Sequence, residues 1–589
     1  MSERDTPRPG LGSMPHEGGT AFRVWAPNAD AVAVTGSFTD WSEDGHAMVA
    51  EEDGHWYADV EGAGPGDEYQ FVITNGEQRL MRIDPRARVV TNSSGNGVVY
   101  DREAFDWEGD TFGCPPHDDL VIYEAHIGSF VAAEGDAGDL GGVAGKLDHL
   151  SDLGVSAVEL MPVTEFAGDY SWGYNPSNPF AVSSSYGGPD ALKDFVKQAH
   201  RHGIAVILDV VINHFGPSDL ALWQFDGWSE NEKGGIYFYN DERSSTPWGD
   251  TRPDYGREEV RAYLHDNVLM WLEEFHLDGL RFDATLYVRT IDGLGTGDVP
   301  EGWELMRSIT GAVRESHPDK ILIAEDLQSD PAITTVDDDG AGFHAQWDPG
   351  FVHPVRNVLT AVDDSERSMS ELAEALRGND EPFRRVVYTE SHDEVAEGGL
   401  RVPDEVDGGD PTGWAAQKRA TLGLAMTLTA PGIPMLFQGQ EFLEGEEFRD
   451  TVPLDWDRAE QFRDLVRLTS DLIRLRRDAD GVSRGLRGEG FEVLHLDDEA
   501  KTLSWARRSG DDVAVVVVNA SAEPQDITTG MPSAGLWSVR FNSDAATYSA
   551  LFAGHETHDV DATDEPVDDQ PAGGTVSVGA YSLVVLTPA

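Results

Sequence analysis

The sequence predicts an α/β protein: a (β/α)8 TIM barrel with an N-terminal β-sandwich and a C-terminal all-β domain. Eight short apolar segments alternate with amphipathic helical patterns between residues 118 and 480. Residues 21–105 and 485–589 instead contain closely spaced strand patterns, separated by turn residues. Repeated β–α units with apolar strands indicate a parallel sheet, and eight such units are typical of a closed barrel.

The N-terminal region divides into two parts. Residues 1–20 are polar and contain several Gly and Pro, which predicts a disordered lead. In residues 21–105 aromatic and β-branched residues alternate between Gly, Asn and Asp, which indicates a small antiparallel β-sandwich. The β-sandwich region contains three tryptophans, Trp25, Trp41 and Trp56. One interpretation is that all three are aromatic residues of the core or of turns.

The central region supplies the eight strand candidates, and a helical pattern follows nearly every one. The candidates lie in LVIYEA (120–125), AVELMPV (157–163), IAVILDVVINHF (204–215), GLRFDAT (279–285), ILIAEDL (321–327), AGFHAQWD (341–348), RRVVYTESHDE (384–394) and IPMLFQGQEF (433–442). Residues 214–256 interrupt the third unit with an irregular insertion rich in aromatic residues. Because loops of this length are usually functional in compact domains, we expect the insertion to help select the substrate.

The charge of the chain excludes some partners and predicts its surroundings. With 43 basic and 107 acidic residues the formal charge is −64, which argues against nucleic acid and anionic membranes. The acids are spread along the chain, so their mutual repulsion should destabilise the compact state. At about 1 M salt the Debye length falls to about 3 Å and screens that repulsion. The composition therefore predicts a salt-rich cytoplasm and resembles that of proteins from halophilic archaea.

Two further observations favour a cytoplasmic protein, and a third argues against a membrane protein. Cys114 is the single cysteine, so an intramolecular disulfide is impossible. The first ten residues, MSERDTPRPG, lack the apolar core of an export signal. No segment approaches the roughly 18 consecutive apolar residues of a membrane span.

Three carboxylates end strand candidates and predict one site. Asp283, Glu325 and Asp393 follow the fourth, fifth and seventh candidates. Acids are unfavourable in strands and costly to bury, so their placement indicates function. Since the active sites of such barrels lie at the carboxyl ends of the strands, the three side chains should converge.

Retaining glycoside hydrolysis requires this set of groups. One carboxylate attacks the anomeric carbon, and one carboxylic acid with a raised pKa protonates the leaving oxygen. A third carboxylate can stabilise positive charge in the transition state. Arg281 shares a strand face with Asp283, so we expect its charge to lower the pKa of that carboxyl and keep it ionised.

Four segments resemble the signature regions of the α-amylase family, glycoside hydrolase family thirteen. They are DVVINH (209–214), GLRFDATLY (279–287), LIAEDL (322–327) and ESHDEV (390–395). The resemblance implies that Asp283 is the nucleophile, Glu325 the acid/base and Asp393 the stabiliser of the transition state.

The same resemblance implies the residues that bind the sugar. His214 and His392 match histidines that bind sugar hydroxyls, and Arg281 matches the family's arginine. Tyr174, in SWGYNP, matches a tyrosine that stacks under the sugar. Asp209 is expected to orient groups in the barrel rather than to react.

The sequence predicts no bound metal and no organic cofactor. Asn213 matches a calcium ligand of many α-amylases, but the sequence offers no convincing set of about six to eight oxygen ligands. No glycine loop for phosphate follows a strand.

The resemblance leaves the acceptor of the reaction open. YEAHIGSF (123–130), YTESHDEV (388–395) and the domain order resemble branching enzymes, which cut α-1,4 chains and rejoin them through α-1,6 bonds. VELMPVTEF (158–166) and STPWGD (245–250) resemble maltooligosyltrehalose trehalohydrolases, although Asn175 replaces their usual aspartate. Our prediction is branching of an α-1,4-glucan such as starch, glycogen or a maltooligosaccharide. A trehalohydrolase or α-amylase is the alternative.

Two further interpretations follow from the family. The N-terminal region resembles the glycan-binding module of branching and debranching enzymes, in which Trp41 of GSFTDW matches a recurring tryptophan. A non-catalytic glycan-binding protein with this fold is the remote alternative. That class is expected to lack a catalytic acid, whereas this chain has all three.

Overall fold

The computed structural model describes residues 8–133, 135–337 and 339–589. Ten short strands form two antiparallel sheets in the N-terminal domain: β1 (Gly12–His16), β2 (Gly19–Trp25), β3 (Ala31–Gly36), β4 (His46–Ala47), β5 (Val49–Ala50), β6 (His55–Glu61), β7 (Glu68–Asn75), β8 (Gln78–Arg82), β9 (Val89–Val90) and β10 (Gly97–Val98). One sheet has the order β1-β2-β6-β5, and the other has the order β4-β3-β7-β10-β9 with β8 beside β7. The predicted N-terminal β-sandwich is confirmed.

The predicted disordered lead, residues 1–20, is wrong for its second half. Strand β1 pairs with β2 from Gly12 to His16, and Met14 is buried. Backbone hydrogen bonds to β2 order this polar segment, because pairing along a sheet edge does not depend on apolar side chains. Residues 1–7 lie outside the described part of the chain.

Eight parallel strands close the central barrel, and each lies in a predicted segment. They are β11 (Ile122–Ala125), β12 (Ala157–Leu160), β15 (Ala205–Val210), β16 (Gly279–Phe282), β17 (Ile321–Ala324), β18 (Ala345–Trp347), β19 (Arg385–Val387) and β20 (Ile433–Phe437). A hairpin of β13 (Thr164–Phe166) and β14 (Pro176–Val182) follows β12. The (β/α)8 TIM barrel prediction is confirmed.

Thirteen α-helices surround or cap the barrel in the described part of the chain. They are α1 (Ile127–Phe130), α2 (Leu140–Ala144), α3 (Leu147–Leu153), α4 (Gly188–Arg201), α5 (Glu258–Glu273), α6 (Thr285–Arg289), α7 (Pro300–Ser316), α8 (Pro349–Thr360), α9 (Met369–Arg377), α10 (Val402–Asp407), α11 (Trp414–Thr429), α12 (Asp457–Gln461) and α13 (Arg463–Arg476). None of these helices is long and apolar enough to cross a membrane.

Strand alternation separates the barrel interior from its outer core. Leu280 and Phe282 of β16 join the core beneath the helices, whereas Ile321 and Ile323 of β17 fill the barrel interior. Arg281 lies between the two outward residues and therefore points inward, as predicted. This alternation carries the polar residues of each strand toward the mouth of the barrel.

The aromatic residues of the insertion at 214–256 are mostly packing residues, and the expected part of the insertion in selecting the substrate stays a prediction. Phe225, Tyr237, Phe238 and Tyr255 are buried in the main core. Trp248 differs, because 37% of it is exposed and it lines the cleft at the barrel mouth. The sequence pattern could not distinguish the packing aromatics from the one in the cleft, because an irregular loop has no periodicity that indicates which side chains are buried.

The C-terminal domain is all-β, as predicted, and packs against the barrel. Its strands are β21 (Gly490–Asp497), β22 (Thr502–Ser509), β23 (Asp512–Asn519), β24 (Gln525–Met531), β25 (Gly535–Asn542), β26 (Val560–Ala562), β27 (Ala572–Val578) and β28 (Ser582–Pro588). Six form one sheet, and β24 pairs with β27 beside it. Lys418 of α11 reaches into this domain, where its Nζ lies 2.7 Å from Asp544 and 2.6 Å from the Ser582 hydroxyl.

We expect Lys418→Met to lower the free energy of unfolding by about 3–5 kcal/mol, because the change leaves the buried Asp544 carboxylate without its cation. Urea unfolding in molar KCl measures the loss. Arg463→Met is the control, because the pair of Arg463 with Glu460 is exposed and should contribute little. Equal stabilities for the two variants would show that the buried pair does not hold the domains together.

Candidate active site

The structure brings the three predicted catalytic acids to one cleft at the carboxyl ends of the barrel strands. Asp283 directly follows β16, Glu325 directly follows β17, and Asp393 lies in the loop after β19. The cleft has a volume of about 830 Å³, and Tyr174 and His392 also line it. Asp283 and Glu325 are buried, whereas 53% of the Asp393 side chain is exposed.

The Arg281 guanidinium holds the acids of the cleft floor in place. Its Nη1 lies 3.1 Å from Asp209 Oδ2 and 3.2 Å from Asp283 Oδ1. Its Nη2 lies 3.2 Å from Glu325 Oε2. The indole of Trp347 covers the guanidinium at 4.1 Å. One buried cation therefore sets the spacing between the predicted nucleophile and the predicted acid/base.

Burial raises the pKa values of these acids, and for Asp283 this is contrary to our expectation. Desolvation raises the pKa of Asp283 to about 6, although Arg281 pulls it down. Desolvation likewise raises the pKa of Glu325 to about 7. We expected Arg281 to keep the pKa of Asp283 low, but burial and the neighbouring acids Asp209 and Asp393 outweigh its charge. Burial therefore raises the pKa values of both carboxyl groups.

The backbone after Asp283 aims a donor at Glu325. Ala284 adopts a left-handed conformation with φ 39°, which is uncommon for a residue with a side chain. This turn directs its N–H to Glu325 Oε2 at 2.7 Å. Such local strain persists where the surrounding structure requires it. The turn therefore links the orientation of Glu325 to the backbone beside Asp283.

Asn213 contacts the predicted nucleophile, Asp283. Its Nδ2 donates to Asp283 Oδ2 at 3.2 Å. Across the described residues, no group of three or more His, Cys, Asp or Glu side chains is arranged to hold a metal ion. In this structure Asn213 is a hydrogen-bond donor to the Asp283 carboxylate.

His392 is held between two acids and an aromatic ring. Its Nδ1 bonds to buried Glu124, and its Nε2 lies 3.4 Å from Asp393 Oδ2. Burial disfavours the imidazolium, but Asp393 and Glu124 outweigh that cost and raise the pKa of His392 to about 10. Tyr174 stacks on the ring at 5.0 Å and donates its hydroxyl to Asp209 at 2.5 Å. His392 is thus a charged donor at the cleft.

His214 lies beneath the cleft surface rather than in it. It is fully buried, and the Trp248 indole stacks on it at 4.4 Å with 15° between the planes. Burial lowers the pKa of His214 to about 3, so its imidazole is neutral. Its role in binding a sugar hydroxyl stays a prediction, which requires Trp248 to move.

Three residues of the barrel layer below the acids were not predicted from the sequence. They are Glu124, which orients His392; Glu159, which is fully buried beside Glu124 on the next strand; and Trp347, which covers Arg281. Glu124 and Glu159 show the pattern that led to the predicted catalytic acids, since each is an acid inside an apolar strand segment. Trp347 carried no signal, because an aromatic residue in a strand is ordinary.

Comparison with known families assigns every part of this architecture. Residues 91–221 and 217–469 match the alpha amylase catalytic domain. The chain belongs to the α-amylase family. Residues 10–87 match carbohydrate-binding module 48, the isoamylase N-terminal domain, and residues 493–589 match the alpha amylase C-terminal all-beta domain. This family assignment confirms the resemblance and makes the chain a glycoside hydrolase or glycosyltransferase.

Individual relatives of this α-amylase-family chain share one name. It is 32% identical to the 1,4-alpha-glucan branching enzyme GlgB of Marinobacter nauticus over 97% of this chain and 94% of that protein. It is 31% identical to the enzyme of that name from Salinibacter ruber, over 92% of this chain and 91% of that protein.

Solved structures share the fold at lower identity. A pullulanase from Anoxybacillus sp. LM18-11, complexed with maltotriose, superposes with a TM-score of 0.77 at 22% identity, over 98% of this chain and 86% of that one. Pullulanase type I from Bacillus subtilis, complexed with maltose, superposes with a TM-score of 0.75 at 24% identity, over 99% of this chain and 86% of that one. These similarities show the shared fold alone.

Proposed function

We propose that this protein is a 1,4-α-glucan branching enzyme that cleaves an α-1,4 bond and rejoins the freed chain through an α-1,6 bond. The single observation that carries the chemistry is the contact of Arg281 with both acids: its Nη1 donates to Asp283, and its Nη2 lies within ion-pair distance of Glu325, at 3.2 Å. The choice of branching is supported by relatives over nearly the whole chain that bear that name.

The proposed reaction proceeds in two steps through the residues of the cleft. Asp283, ionised above a pKa of about 6, attacks the anomeric carbon and forms a glycosyl ester. Glu325, with a pKa of about 7, gives its proton to the leaving oxygen. The Glu325 carboxylate then takes the proton of an acceptor 6-hydroxyl, which attacks the ester and restores Asp283.

The remaining cleft residues suit the charge that develops in this reaction. Asp393 lies at the cleft with an exposed carboxylate, where it can face the positive charge on the sugar ring. The His392 imidazolium and the Tyr174 ring lie beside it. An α-glucan is the proposed substrate, and hydrolysis by the same residues would follow if water replaced the sugar acceptor.

We expect amylose incubated with the protein in molar KCl to gain α-1,6 anomeric signals in proton NMR without a matching rise in reducing ends. A transferase creates one bond for each bond cut, so reducing ends stay constant. Maltooligosyltrehalose serves as the parallel substrate: free trehalose would identify a trehalohydrolase. Rising reducing ends alone would identify an amylase. Either result would overturn the proposal of branching.

The N-terminal domain is proposed to bind glycan through Trp41. This side chain is 40% exposed, whereas Trp25 is buried and Trp56 donates its indole N–H to the Ala26 carbonyl. Two of the three tryptophans are therefore packing residues. Trp41 alone among them has a free aromatic surface of the kind that stacks on sugar rings.

We propose that the protein works in a salt-rich cytoplasm, since its charge of −64 requires screening. The midpoint of thermal unfolding is expected to rise when KCl is increased from about 0.1 M to about 1 M, because the Debye length falls from about 10 Å to about 3 Å. Sucrose at matched osmolality is the control, since it adds no ions. A midpoint of thermal unfolding that does not change with the KCl concentration would contradict the proposal.

A further inference from the structure

The insertion at 214–256 forms one wall of the catalytic cleft and is also the surface on which the N-terminal domain docks. Pro217, Ser218 and Trp248 line the cleft. A different part of the same insertion, residues 224–228, faces the N-terminal domain and bonds to it. One segment therefore connects a domain outside the barrel to the wall beside the catalytic acids.

Asp226 is the centre of this docking contact. Its side chain is fully buried, and Oδ2 accepts from both the backbone N–H and the Nδ2 of Asn28 at 2.9 Å. Its Oδ1 accepts from the Trp228 N–H at 3.1 Å. A buried carboxylate is stable only where donors satisfy it, so the fit of this residue depends on the N-terminal domain.

Further bonds from the same domain hold the backbone beside Asp226. Asn75 Nδ2 donates to the Asp226 carbonyl at 3.0 Å. The Arg82 guanidinium donates to the Phe225 carbonyl at 2.9 Å and to the Gln224 carbonyl at 3.0 Å. Residues 224–226 are thus fixed by side chains of β7 and β8.

A short chain of contacts runs from this point to Trp248. Gln224 donates through its backbone N–H to Gly234 at 2.8 Å and through Nε2 to the Lys233 carbonyl at 3.0 Å. Lys233 Nζ then pairs with Asp250 Oδ2 at 2.8 Å, two residues beyond Trp248. The opposite anchor lies at the start of the insertion itself, where the Thr251 hydroxyl donates to the Phe215 carbonyl at 2.5 Å.

We propose that the N-terminal domain positions the Trp248 wall of the cleft through Asp226 and Lys233, and so raises the affinity for the glucan chain. Irregular loops are mobile unless bonded, and a wall that is ordered before binding spares the ligand the entropy of ordering it. Asp226 and Lys233 are positioning residues, since they act through the loop and not on the sugar. The proposal rests on the proposed function only in taking an α-glucan as the ligand.

The test measures maltoheptaose binding by calorimetry in molar KCl, in full-length Asp283→Asn protein so that no turnover occurs. Adding Asp226→Ala or Lys233→Met is expected to weaken binding about three- to tenfold. Tyr263→Phe is the matched control. It removes a hydroxyl that donates to the Pro85 carbonyl at 2.9 Å, a hydrogen bond between the N-terminal domain and α5 that involves no residue of the insertion, and Phe keeps the packing of the ring on Tyr237. That control should bind as the parent does.

A second readout follows Trp248 without any ligand. In protein labelled with fluorotryptophan, the ¹⁹F resonance lost in Trp248→Phe identifies this side chain. The Trp248 resonance should shift in the Asp226→Ala and Lys233→Met variants and should keep its chemical shift in Tyr263→Phe. Lys233 is partly exposed, so its variant tests the link even if Asp226→Ala does not fold.

The two readouts separate failure of this inference from failure of the proposed function. Unchanged affinity and an unmoved Trp248 resonance in both variants would overturn the positioning role. A parent protein that does not bind maltoheptaose would refute the proposed substrate, and the fluorine shift would then decide the positioning role by itself.

Discussion

Asp283→Asn is expected to lower the rate of α-glucan cleavage by at least about 10⁴-fold, because an amide cannot form the glycosyl ester. Binding of the glucan should survive, since Asn keeps the size of the side chain and its contact with Asn213. Initial rates on amylose in molar KCl measure the loss. Full activity in this variant would refute the proposed mechanism.

The same substitution should make the protein more stable at neutral pH. Asp283 has a folded pKa of about 6, whereas an unfolded aspartate ionises near 4, so folding costs free energy as pH rises from about 4 to about 6. Removing the charge should recover about 3 kcal/mol at pH 7. The control is Asp450→Asn. Asp450 lines the same cleft but is not among the acids that pair with Arg281, so this variant should keep most of the activity. A loss of activity with a gain of stability would identify an active-site charge rather than a folding defect.

Glu325→Gln is expected to lower the rate on amylose by about 10²–10⁴-fold, because the leaving oxygen loses its proton donor. A maltosyl fluoride should restore the first step, since fluoride leaves without a proton. A burst of fluoride, and a glycosyl-enzyme detectable by mass spectrometry, are the expected signs. Glu397→Gln, an exposed acid of the same cleft, is the matched control. Equal losses on both substrates would assign Glu325 a role other than acid/base catalysis.

The pH profile of kcat/KM provides a second test of the proposed role of Glu325 as the acid/base. The rate should fall below about pH 6 as Asp283 gains a proton and above about pH 7 as Glu325 loses one. With maltosyl fluoride as substrate the formation of the ester should lose its alkaline fall, because protonated Glu325 is no longer required. An alkaline fall that is the same for both substrates would contradict this assignment.

Much of the architecture was predictable because it follows from local patterns. Alternation in GLRFD placed Arg281 inside the barrel, and the barrel order made Asp283 and Glu325 neighbours, as the structure confirms. Residues 12–20 were mispredicted, because strand pairing at a sheet edge leaves little trace in a polar sequence.

The sequence by itself determined that Asp283, Glu325 and Asp393 meet in one cleft, because strand periodicity and strand order can be inferred from local residue patterns. Tertiary structure alone decided their proton affinities and which of the other predicted residues reach the cleft. The pKa of Asp283 is high despite Arg281, since burial depends on the whole fold. His214 lies under Trp248, a residue far along an irregular loop, and no local pattern encodes such a contact.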